Sequence, residues 1–68
     1  MTLLDMKVRD VIRLLERDGW QHVRTTGSHR QFQNPVKLGT VTVAGKLGAD
    51  MPIGTLRSIL KRAGLKWP

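Results

Sequence analysis

The sequence has no cysteine, only five acidic residues and no long apolar run. Without cysteine, neither a disulfide framework nor a thiolate zinc site can hold a small fold together. No uninterrupted apolar stretch approaches the ~20 residues of a membrane-spanning helix, or the shorter core of a secretion signal. No membrane association is expected, and the cytoplasm is the expected location. At 68 residues the chain has room for one domain, expected over residues 1–68 with 1–5 as an extension before the fold. A domain of this size buries only about 60% of the surface its unfolded chain exposes, so its core is small. Hydrophobic residues at 40% are ordinary for a globular domain and too many for a disordered tail.

The shortage of acid is also lopsided. Lys7, Arg9, Arg13 and Arg17 balance Asp5, Asp10, Glu16 and Asp18 in residues 1–19, whereas eight basic residues in 20–68 meet only Asp50. The whole net charge of +7 therefore lies in the second segment. A one-sided excess of this kind favours a polyanionic partner, most simply nucleic acid. Solubility alone does not require the acids to be confined to one segment.

Periodicity supplies the elements. Val8, Val11, Ile12 and Leu15 form one stripe of an amphipathic helix over 6–18, widened by Leu14, with Asp5 as candidate N-cap and Gly19 as the left-handed stop. Trp20–Thr25 and His29–Asn34 alternate around the turn residues Thr26-Gly27-Ser28, which predicts a β-hairpin. After a connection at 35–39, Thr40–Val43 reads as a third strand, and 45–50 as a Gly-rich loop. Leu56, Ile59, Leu60 and Ala63 mark a last helix, with Pro52 near its start and Gly64 at its end. The expectation is an α+β fold, α-β-β-β-α, with a three-stranded antiparallel sheet and both helices on one face. Val23, Phe32, Val41 and Val43 are the expected core-facing strand positions. Alternation then sends His22, Arg24, His29, Gln31, Gln33, Thr40 and Thr42 to the opposite face. Trp20 is expected to pack where helix meets strand, while Trp67, at the terminus, is open between several roles.

Three segments carry a resemblance: "LLERDGW" at 14–20, "TTGSHRQF" at 25–32 and "MPIGTLRSILKRAGL" at 51–65. In this order and spacing they resemble the HicA family, the toxin halves of HicA–HicB toxin–antitoxin pairs, over about residues 6–65. The resemblance implies a fold like a double-stranded-RNA-binding domain and a metal-independent ribonuclease that cuts mRNA. It places the catalytic histidine of the Gly-Ser-His turn at His29, and implies a HicB-type antitoxin that binds the toxin and masks that site. Many members follow the third strand with proline and a second histidine; "VAGKLGAD" at 43–50 has neither.

The residue types suit that chemistry. Metal-free cleavage needs a base for the attacking 2′-hydroxyl, an acid for the leaving 5′-oxygen, and fixed positive charge for the phosphorane. Histidine exchanges protons near neutral pH. Arg24, Arg30, Lys37 and Lys46 surround the hairpin and the loop after β-strand three as candidate phosphate contacts, each equally readable as a solvated charge. Ser28 is a candidate for either a turn hydrogen bond or a substrate contact. His22 is open between an acid–base partner for His29 and a surface histidine. Two histidines and five dispersed carboxylates form no ligand cluster, and "AGKLGAD" lacks the Gly-Lys-Ser/Thr ending of a nucleotide loop. No metal or cofactor is expected. The expected function is an mRNA endoribonuclease toxin. The alternatives are a non-catalytic RNA-binding module and, less favoured for want of a recognition motif, a DNA-binding regulator.

Overall fold

The apolar stripe of the first segment becomes helix α1, Val8–Arg17, in the computed structural model, which describes residues 6–66. Val8, Val11 and Leu15 are buried along it, with Ile12 and Leu14 partly so. The expected cap, Asp5, lies outside the described residues, as does the 1–5 extension. The helix starts two residues later, where the Asp10 carboxylate accepts the Lys7 backbone N–H at 2.8 Å. Two further N–H groups at this end, of Val8 and Arg9, donate to the carbonyls of Ala49 and Leu47. The Gly-rich loop thus satisfies donors that a helix start leaves orphaned. Lys7 pairs with Asp50 in the same place, and Met51 N–H donates to Met6 C=O, burying both methionines.

Gly19, at φ 95°, turns the chain into β1, Gln21–Thr26. Trp20 is buried at this junction, its indole N–H donating to the Asp18 carboxylate at 3.2 Å. Strands β2, His29–Gln33, and β3, Thr40–Ala44, complete an antiparallel sheet in the order β1-β2-β3. Helix α2, Ile53–Ala63, begins after Pro52 and ends at Gly64 in the left-handed conformation, φ 69°. Phe32, Val41 and Val43 join Leu15, Leu56 and Leu60 in one buried cluster, which puts both helices on the same face of the sheet.

One register detail departs from the sequence reading. Thr26 pairs with His29, Thr25 with Arg30 and Arg24 with Gln31, but a bulge then leaves Val23 over, and His22 pairs with Phe32. Side chains alternate faces along a strand, so one extra residue reverses the faces beyond it. Val23 is consequently not core: it is 51% exposed. His22 leaves the open face and joins Phe32 on the helix side, with ring centroids 5.5 Å apart and Nε2 2.6 Å from the Thr25 hydroxyl. Both helices pack on β3, at the other edge of the sheet, and all six residues of β1 are exposed. No burial opposes the bulge there.

Candidate functional site

The β1–β2 connection is a two-residue turn with Gly27 at φ 59° and Ser28 at negative φ. That arrangement suits the right-handed twist of a hairpin, and the first position requires glycine. It makes His29 the first residue of the central strand, in register with Thr26 on one side and Ala44 on the other. Phe32 points to the core, so His29, Gln31 and Gln33 point away from the helices. His29 is exposed, and no described residue hydrogen-bonds its ring. Arg24, Gln31 and Thr42 form the next row of the open face, about 7 Å along the strands. There Arg24 Nη2 donates to Gln31 Oε1 at 2.8 Å.

Two further cations stand at the same end of the sheet. Gly45 N–H donates to the Ser28 carbonyl at 3.3 Å, which brings the start of the 45–50 loop against the turn. Lys46, next along, is exposed and has no ion pair among the described residues. Arg30 lies on the helix side, half-buried, and its Nη1 donates to the Gly45 carbonyl at 2.7 Å. It therefore clamps loop to turn while its other N–H groups remain beside them. The Ser28 side chain is exposed, and no described residue takes its hydroxyl.

Lys37 is not brought to this place. It lies past the opposite end of β2, where Nζ donates to Asp18 Oδ2 at 2.6 Å and to the Ala63 carbonyl at 3.0 Å. Both helices thus end beside Lys37, and both begin at the His29 end. Among the described residues no group of three or more metal-ligating side chains occurs, and no helix is long and apolar enough to cross a membrane.

A family model described as the HicA toxin of bacterial toxin–antitoxin systems matches residues 8–65, nearly the whole chain. The chain belongs to the HicA toxin family. None of the curated proteins compared with it matches. In this HicA chain the sequence reading overlooked Arg9, which sits in the charge-neutral first segment. Its backbone donates to Leu47 and its guanidinium lies 3.6 Å from where a Cβ on Gly48 would be, against the loop that adjoins His29. Only the pairing of α1 with that loop reveals this, and no spacing in the sequence encodes it.

Proposed function

We propose that this HicA toxin is a metal-independent endoribonuclease of mRNA, with His29 as its proton-transfer group and a HicB-type antitoxin as its partner. The observation that carries the reading is an exposed imidazole, with no hydrogen-bond partner among the described residues, at the end of the sheet that also carries Arg24, Arg30 and Lys46, with Arg9 against the adjoining loop. RNA phosphates bind against the cations, with the scissile one at His29. His29 then takes the 2′-hydroxyl proton as the 2′-oxygen bonds to phosphorus, or gives a proton to the 5′-oxygen as its bond to phosphorus breaks. The products are a 2′,3′-cyclic phosphate and a 5′-hydroxyl end. His22 is on the helix side and does not face His29, so the second proton transfer passes through water. Arg24 and Lys46 supply fixed charge to the phosphorane. Lys37 has no part in this scheme, because Asp18 and Ala63 already hold its ammonium.

A second reading, a non-catalytic RNA-binding module, is favoured by one feature: no side chain orients the His29 ring. Incubating the protein with RNA in excess EDTA separates the two. Cleavage to cyclic-phosphate ends is the expected result, and a gel shift with intact RNA would support the module instead.

A further inference from the structure

We propose that the groove between the C-terminal halves of α1 and α2, with the Val36–Leu38 loop at its end, docks an acidic amphipathic helix of the antitoxin. The inference rests on the toxin reading above and assigns the surface its partner uses. The groove consists of two hollows of about 280 and 450 Å³ that share Leu60 and Leu65, with Leu14 on the α1 side. Its rim is basic, carrying Arg17, Lys61 and Lys66. None of these three pairs with a carboxylate among the described residues, and Asp18, the one acid lining the groove, is taken by Lys37.

The adjoining loop is ordered to present apolar side chains outward. Asn34 Oδ1 accepts the N–H groups of Val36 and Lys37 at 2.9 and 3.2 Å, and its Nδ2 donates to the Asp18 carbonyl at 2.9 Å. The same contacts, with those of Lys37 Nζ, tie the loop to the mouth of the groove. Lys37 is drawn inward while its neighbours stay out, Val36 at 88% and Leu38 at 96% exposure. One exposed aliphatic residue needs no explanation. Two held in a hydrogen-bonded loop beside an apolar groove are pre-organised, which lowers the ordering cost of a partner.

The chemistry of the surface selects a protein over RNA. Leucine and valine gain nothing from phosphate or ribose, and among the described residues no aromatic side chain is exposed here for base stacking. A helix laid between two helices anchors apolar residues at i, i+4 and i+7 in the groove, while its flanking carboxylates meet the rim. The site is at the end of the domain away from His29. The Cα atoms extend 29 Å along the longest principal axis, a distance that about ten further extended residues of the partner cover.

The test uses the protein encoded by the reading frame beside this one, co-expressed and purified with the chain. Leu38→Asp alters a side chain that packs on nothing, and Arg17→Glu with Lys66→Glu reverses the rim, so both variants should fold. Each is expected to weaken the complex at least about 10-fold, while cleavage of RNA per folded molecule stays unchanged and escapes inhibition. Wild-type affinity in both variants would overturn the proposal. So would loss of RNA binding in place of antitoxin binding, or a homodimer that Leu38→Asp dissociates. If wild type forms no complex with that neighbour, the antitoxin reading itself falls before any variant is made.

Discussion

Replacing Lys37 with methionine separates a structural cation from an RNA contact. The substitution keeps most of the apolar stem and removes the ammonium that bridges Asp18 and the Ala63 carbonyl, at 2.6 and 3.0 Å. A hydrogen bond to a charged group is worth roughly 1.5–3 kcal/mol when protected, and an exposed ion pair about 0–1. The two side chains are 35% and 27% exposed, so water screens the pair in part and the lower half of that combined range applies. Asp18 also keeps the Trp20 indole N–H, so its carboxylate is not stranded. The expected loss is about 1–2 kcal/mol, felt at both helix C-termini at once. In a domain of 60–100 residues each kcal/mol moves the midpoint by about 4–8 °C. Thermal unfolding followed by circular dichroism should therefore show a drop of roughly 5–15 °C. RNA binding and cleavage, measured where both proteins are fully folded, should match wild type. An unchanged midpoint with weakened RNA binding would refute this and return Lys37 to the phosphate contacts.

The same geometry sets three other outcomes. Leu56→Ala, in a fully buried position, should cost about 2–5 kcal/mol, comparable to the whole stability of a domain this small; chemical denaturation should find it largely unfolded. RNA affinity should fall with salt at a log–log slope of about −3, the value for four phosphates met by Arg24, Arg30, Lys46 and Arg9 at about −0.7 each; a slope near zero would exclude the electrostatic surface. His22→Ala should leave the cleavage rate within a few-fold of wild type, since its ring lies on Phe32 and not on the open face; a loss as large as that of His29→Ala would mean the bulge is absent in solution.

Local pattern and global packing agree in most of the chain, and there the fold was legible in sequence. The stripe on α1, the Gly27-Ser28 turn, the period-two run of β3 and the Gly64 stop each encode their own geometry within a few residues. His29 was legible for the same reason, since a tight turn fixes the direction of the residue after it. The bulge at Val23 was not, because it depends on how far two distant helices extend over the sheet. Nothing in Gln21–Thr26 records that β1 is left uncovered, so a strict alternation misplaced both His22 and Val23. The positions of Lys37 and Arg9 depend on long-range contacts as well. Counting charges along the chain put Lys37 among the cations around the hairpin and Arg9 in a neutral segment; folding places Lys37 at two helix ends and Arg9 against the loop beside His29. Met6 and Met51 close the core through a backbone bond between segments far apart in the chain, which no periodicity announces.

The most direct measurement of the central claim is RNA cleavage by His29→Ala against wild type, in EDTA, at equal foldedness by circular dichroism. His29 packs against nothing in the core, so the substitution should change stability by less than about 0.5 kcal/mol and leave RNA affinity and its salt dependence intact. Loss of a general acid or base should slow cleavage by roughly 10²- to 10⁴-fold. Undiminished cleavage by the folded variant would contradict the account and remove His29 from the mechanism.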